Sequence, residues 1–240
     1  MAYSEITIND PNPIKRWLQK SRFKTAIDLY GRNDSPLTVL DFGAGNGYLC
    51  LELAKVDDKA RFLCYEPSTE LRMEAVQNIG NHPRIKVIGS LAKIDANSID
   101  VTFSLEVFEH LPERETEDAI NEIFCLTKST GRVIVGVPNE IYAAALYKGL
   151  FRMFRRYGDF DARLINILSS TAGFPPKNRP ADTLGGDLHY HFHHMGYDHR
   201  EFKKLLRKRN LDPVMVCSPF KPLGPVFAPE IYYLVDCSQT

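Results

Sequence analysis

Apolar positions recur along the chain with two alternating periods. Trp17, Leu18, Phe23, Ile27 and Tyr30 fall near helical spacing over residues 14–30, and Gly31 supplies a stop, so a leading amphipathic helix is predicted. An apolar, β-branched run follows at 37–42. It breaks into Gly43-Ala44-Gly45-Asn46-Gly47 and resumes as a helical pattern over 48–56, which reads as strand, glycine turn, helix. The alternation continues with strand 61–65, helix 69–79, strands 85–88 and 99–105, helix 113–127 and strand 132–137. This order predicts an α/β fold, doubly wound, with a parallel sheet covered by helices on both faces. Beyond Pro138 the rhythm lapses for about fifty residues, longer than ordinary connections, so a functional or mobile insert is expected. It resumes with helix 198–209 and strands 213–217 and 231–236.

Within the insert, 142–157 carries Leu146, Leu150, Met153, Phe154 and Tyr157 at near-helical spacing. Lys148, Arg152, Arg155 and Arg156 share the segment with no acid between them, which predicts a basic amphipathic helix. Its apolar face would pack on the domain, form a lid over an apolar pocket, or rest weakly on an anionic membrane surface. Residues 174–180, with Gly185 and Gly186, read as loop and hinge material.

At 240 residues one domain spanning 1–240 is expected: an N-terminal helix (1–36), a cofactor-binding core (37–138), an acceptor-side insert (139–197) and a C-terminal helix with strands (198–240). Lys+Arg and Asp+Glu are both 30, so no global field recruits nucleic acid, and no nucleic-acid partner is expected. Cys50, Cys64, Cys125, Cys217 and Cys237 include no C-x-x-C pair and read as reduced thiols. No apolar signal core or spanning run is apparent, and a cytoplasmic protein is expected.

The glycine turn sits where a strand feeds a helix N-terminus, a place that lets backbone approach a ligand closely. Asp41 precedes it. Glu66 ends the second strand about two dozen residues on, where a carboxylate can accept from both hydroxyls of a ribose. Without a ligand, the same features would be a tight connection and a solvated strand-end acid. The spacing Gly43-x-Gly45-x-Gly47 departs from the G-x-G-x-x-G of NAD sites and favours another cofactor.

Here the sequence resembles the class I, Rossmann-like S-adenosylmethionine methyltransferases. The likeness is carried by Val39-Leu40-Asp41-Phe42-Gly43-Ala44-Gly45-Asn46-Gly47, by Tyr65-Glu66-Pro67, by 98–111 with its Glu106-Val107-Phe108-Glu109-His110-Leu111, and by 131–138. It looks closest to the small-molecule and lipid methyltransferase group. The resemblance implies a seven-stranded sheet of order 3-2-1-4-5-7-6, with only the last strand antiparallel. It also implies S-adenosyl-L-methionine as cofactor, with Asp41, Gly43, Ala44, Gly45 and Gly47 beside its methionine portion and Glu66 and Pro67 at the ribose. Ser104, Leu105 and Glu106 would lie beside the sulfonium. Family members often place an acid after the third strand to hold the adenine amine. This chain has Gly89-Ser90-Leu91 there, which leaves Ser90, Leu91 or backbone groups for the adenine.

Methyl transfer mainly needs alignment, together with a base when the acceptor is a hydroxyl. Histidine suits that base. His110 is one candidate, and the run His189-Tyr190-His191-Phe192-His193-His194 offers His189, His191 and His193. The run would equally serve as a polar loop or strand of hydrogen-bonded imidazoles. Alternate imidazoles on one strand face would also suit a metal, although no metal is expected. A small-molecule, glycan or lipid-like acceptor methylated at oxygen is the leading expectation. A non-catalytic S-adenosylmethionine-binding protein and an NAD-dependent oxidoreductase are the alternatives.

Overall fold

In the computed structural model, which describes residues 12–184, 188–219 and 221–239, the run after Leu37 forms β1 (Thr38–Phe42). Its last four residues are all buried, as befits a strand covered on both faces. β1 pairs in parallel with β2 (Arg61–Tyr65) on one side and β4 (Ile99–Leu105) on the other. β2 in turn pairs with β3 (Ile85–Ile88). Further along come β5 (Thr127–Pro138), a short antiparallel hairpin of β6 (Asp182–Leu184) and β7 (Leu188–Tyr190), then β8 (Val214–Ser218) and β9 (Glu230–Asp236). The main sheet is mostly parallel and runs β3-β2-β1-β4-β5-β9-β8. Counting its own strands alone, that is the 3-2-1-4-5-7-6 order the resemblance implied.

The chain divides into two compact units. The first holds described residues up to Leu105, with Asn121–Val135 and those from Leu234 onward; the second holds Glu106–Ile120 and Gly136–Tyr233. In the first unit, α1 (Pro13–Tyr30) ends on Tyr30, whose hydroxyl donates to Asp57 at 2.6 Å. Leu53 of α2 (Tyr48–Val56), Phe62 and Phe103 are completely buried, each contributing about 1.5–3 kcal/mol by loss of apolar surface from water. α3 (Thr69–Ile79) starts at Ser68, whose hydroxyl accepts the Leu71 N–H, and stops at Gly80.

α4 (Glu113–Leu126) is followed by the second unit's helix pair, α5 (Tyr142–Arg156) and α6 (Leu164–Thr171). The basic amphipathic helix is present, but its packing is inverted. Its buried stripe is the small set Ala144, Ala145 and Gly149, and an added Cβ at Gly149 would lie 2.5 Å from Ile167 of α6. Small residues let the two helices approach, and the large apolar ones turn outward. Phe154 is 91% exposed and Ile165 of α6 71%. The basic character is largely internal as well. Glu140, completely buried, takes Lys148 at 3.1 Å and both amino groups of Arg152 at 2.7 and 2.9 Å, while Arg156 binds Asp161 at 2.6 Å. These acids flank the helix in space, not in its sequence, so a simple basic face on an anionic membrane is corrected to an apolar face with its charges mostly matched.

α7 (His199–Lys208) is capped by Asp198, which accepts the Arg200 N–H, and buries Phe202 and Leu206. α8 (Gly224–Phe227) is tied down by Asn139, which donates to the Pro225 and Ala228 carbonyls. β5 begins at Thr127, five residues before the predicted start, because the chain stays extended through Gly131; a Cβ there would lie 2.8 Å from the Asp100 carbonyl. Among the described residues no helix is long and apolar enough to cross a membrane.

Candidate functional site

In the first unit the glycine turn is held by backbone bonds. Gly43 and Ala44 both donate to the Tyr65 carbonyl, at 2.9 and 2.8 Å, and Gly47 donates to Ala44 at 2.9 Å. Gly45 and Gly47 both have left-handed φ, +53° and +75°, that side-chain-bearing residues rarely adopt. They differ in surroundings. A Cβ on Gly47 would strike Ile79 at 2.5 Å, whereas one on Gly45 would meet no protein atom within 4 Å. Gly47, the N-cap of α2, has no side chain to cap it, and Oδ1 of Asn46 accepts the Tyr48 N–H at 3.3 Å.

Glu66 closes the site from the next strand. Its carboxylate is buried and accepts the Gly45 N–H at 2.8 Å and the Ser68 N–H at 2.9 Å, one on each oxygen. Each oxygen keeps a second lone pair for a ligand hydroxyl. Burial pushes the Glu66 pKa up, against the pull of those two N–H groups and Arg72. Asp41 is buried too. Burial, then the Glu66 charge, push it up to about 7, opposed by the Cys50 thiol that donates to it at 3.8 Å. Arg72 was not singled out from the sequence. It donates to the carbonyls of Glu66 and Pro67, both at 2.9 Å, and its guanidinium fills the space beside Gly89. An arginine in the first turn of the helix that follows a Glu-Pro pair is the signal that could have found it.

Past β3, the Ser90 hydroxyl accepts from the Ala92 N–H at 3.3 Å and Leu91 is buried. A cleft of about 520 Å³ touches Gly89 and Ser90 but is lined by neither Gly45 nor Glu66, so it is distinct from the turn. At the end of β4 the Ser104 hydroxyl is buried with no hydrogen-bond partner among the described residues.

In the second unit, Glu106 has φ +57° and its N–H donates to Gly136 at 2.9 Å. His110 lies four residues on. Its Nδ1 meets the His191 carbonyl at 2.7 Å, while the His191 N–H donates to the His110 carbonyl at 2.8 Å. Tyr190 stacks on the His110 ring at 4.4 Å, and His194 meets it edge-on at 4.8 Å. Burial pushes the His110 pKa down to about 4, and likewise lowers that of His194. The histidine run is not one strand face, because β7 ends at Tyr190. Thereafter His191 turns to the Pro180 carbonyl at 3.0 Å and His193 to Asp161 at 3.4 Å. The His189 side chain lies outside the described residues, as do Gly185 and Gly186. The histidine that joins His110 is His194, which sequence reasoning did not choose. Arg179, also missed, ties the loops together through bonds of 2.6 Å to the Glu109 and His193 carbonyls.

Residues 40–135 match the model of a family described as a methyltransferase domain. These residues carry a methyltransferase domain, and the sheet order around them is that of the class I, Rossmann-like fold. No curated protein matches it in sequence. Among solved structures, it resembles an S-adenosylmethionine-dependent methyltransferase from Aquifex aeolicus at 14% identity, over 97% of this chain and 96% of that one, with a TM-score of 0.59. It also resembles the 1,6-didemethyltoxoflavin-N1-methyltransferase of Burkholderia thailandensis, solved with 1,6-didemethyltoxoflavin and S-adenosylhomocysteine (13% identity, 97% and 84% coverage, TM-score 0.54). A third is the magnesium protoporphyrin IX methyltransferase of Synechocystis with bound S-adenosylhomocysteine (17%, 93% and 87%, 0.55). At such identities the likeness to these structures is one of fold.

The methyltransferase domain implies S-adenosylmethionine as the cofactor, and two of these neighbours were solved with S-adenosylhomocysteine. The turn fits it. Open space over Gly45 admits a ligand against bare backbone, and the Glu66 oxygens retain acceptor capacity for a ribose diol.

Proposed function

We propose that this methyltransferase acts on an oxygen of a small molecule with an apolar, lipid-like portion. The bound cofactor supplies the methyl group as an electrophile. Asp41, Gly43, Ala44, Gly45 and Gly47 take its methionine end, Glu66 with Pro67 its ribose, Ser90 and Leu91 its adenine, and Ser104, Leu105 and Glu106 its sulfonium. A nearby carboxylate and carbonyl oxygens suit a fixed cation. The acceptor oxygen forms the new C–O bond as the C–S bond breaks with its electrons left on sulfur, and the acceptor proton passes to an imidazole base.

The observation that carries oxygen as acceptor atom is His110. A carbonyl only accepts, so the Nδ1 facing the His191 carbonyl bears the proton and Nε2 keeps a lone pair suited to a hydroxyl. His189, His191 and His193 remain the other base candidates. The exposed apolar side chains of α5 and α6 support a lipid-like acceptor or weak membrane-surface contact. Equal numbers of acidic and basic residues support a small molecule over nucleic acid, and five free thiols support a cytoplasmic setting. The test has two stages. Calorimetry should find micromolar binding of S-adenosylhomocysteine and none of NAD, and a labelled methyl donor offered to lipid and polar extracts should yield a methyl ether or ester. Label found only on nitrogen or carbon would overturn the oxygen assignment.

A further inference from the structure

Since its Nδ1 proton is given to the His191 carbonyl, His110 presents a bare Nε2. That lone pair faces Oε1 of Glu109 at 3.8 Å, and the Glu109 side chain is completely buried. An imidazole nitrogen and a carboxylate oxygen at that separation suit a shared cation. His194 supplies a third donor. One ligand atom from each of Glu109, His110 and His194 lies within 4.8 Å of the other two. Bonds of about 2.0–2.2 Å let one cation span ligands up to about 4.4 Å apart, so the 3.8 Å pair fits as it stands and separations of up to 4.8 Å within the set would have to shorten on binding.

The surroundings favour a fixed arrangement. The bond from Nδ1 to a backbone carbonyl sets the tautomer and aims the ring, as is usual for metal-bound imidazoles. Tyr190 stacked on His110 holds its plane. Three cationic side chains lie near. Arg179 offsets part of the Glu109 charge while one of its amino groups serves the Glu109 and His193 carbonyls, and Lys148 and Arg152 are bound to Glu140.

We propose that Glu109, His110 and His194 bind a divalent first-row transition cation, with its remaining coordination positions open. This departs from the sequence expectation of no metal. Two imidazoles with one carboxylate select such ions over calcium or magnesium, and three protein ligands with open positions mark a reactive rather than a sealed site. On the reading that the acceptor is a hydroxyl, the cation would bind that oxygen and lower its pKa, and the released proton would pass to water. His110 would then serve the acceptor oxygen through the cation rather than by taking its proton directly, so the hydroxyl reading stands with either role.

The test uses untagged protein stripped with a chelator and titrated with Co²⁺ by visible absorption and with Zn²⁺ by calorimetry, Mg²⁺ serving as hard-cation control. One equivalent of Co²⁺ should bind at micromolar affinity with d–d bands of a nitrogen and oxygen site. His194→Ala and Glu109→Gln should each weaken it at least about tenfold. His193→Ala, whose ring faces Asp161, should leave it unchanged. Circular dichroism of each variant separates lost metal from lost fold, and His194→Gln serves if Glu109→Gln does not fold. No stoichiometric cobalt binding, or equal binding by wild type and His194→Ala, overturns the proposal. S-adenosylhomocysteine binding without metal uptake sinks the metal site alone, and metal uptake without S-adenosylhomocysteine binding sinks the methyl-transfer reading alone.

Discussion

The Gly45 N–H donates to the Glu66 carboxylate at 2.8 Å, tying the glycine turn to the end of the next strand across 21 residues. One side chain thereby shapes the turn and presents acceptors to a ligand. Glu66→Ala removes both functions and should weaken S-adenosylhomocysteine binding by about 1–3 kcal/mol, the cost of leaving buried donors unmet. Calorimetric titration of the variant checks this, and an unchanged Kd would remove Glu66 from the ribose role.

The two left-handed glycines should separate stability from binding. Gly47→Ala combines left-handed strain with a 2.5 Å clash on Ile79, so a loss of about 1–3 kcal/mol of stability is expected. Gly45→Ala carries only the strain, about 1–2 kcal/mol, but puts a methyl group in the open space above the turn and should lower cofactor affinity. Melting curves read beside cofactor titrations decide it; equal affinity in Gly45→Ala and wild type would empty that space of its role.

Asp41 gives the fold a pH dependence of definite sign. Its carboxyl is raised from 3.8 to about 7, so between those values the folded state holds a proton that the unfolded state has released. The stabilising contribution is full below about pH 4 and is lost as pH rises through about 7, by up to about 4 kcal/mol at about 1.4 kcal/mol per unit. Denaturant midpoints should therefore show this loss in wild type and not in Asp41→Asn. A wild-type and variant pair with parallel profiles would contradict the assignment.

Glu140 and Arg152 form a buried pair that should be costly to break from one side. Burial alone would push the Glu140 carboxyl up, and the Arg152 and Lys148 charges outweigh it, holding it well below the usual range. Arg152→Ala leaves that carboxylate short of its main partner and should cost about 3–5 kcal/mol. Adding Glu140→Gln should recover part of the loss, since partners in one network are not additive. Urea unfolding of the single and double variants measures it, and strictly additive losses would argue against the pairing.

Much of the first unit could be read from the chain alone. The strand and helix bounds around Gly43, Gly45, Gly47 and Glu66 follow from local periodicity and turn chemistry, and the structure reproduces them to within a residue. The second unit was less legible for a physical reason. Ala144, Ala145 and Gly149 look like neutral filler, and their value as a contact stripe exists only once Ile167 is placed against them. Likewise Lys148 and Arg152 read as a solvent face until Glu140 meets them from outside the helix. His194 was part of the histidine run but was not singled out, because nothing in the run's spacing shows that the strand ends at Tyr190 and that the chain beyond it brings His194 to His110.

The close contact of Gly149 with Ile167 divides the constraints on this helix pair. On the inner side even a methyl group is too much, so drift there is closed off. On the outer side, Phe154 and Ile165 touch little of their own fold, and exchanging them costs it little. Related chains are thereby free to change what these helices meet while keeping the scaffold beneath them, and variation among homologues should concentrate on the outward residues and spare the small ones.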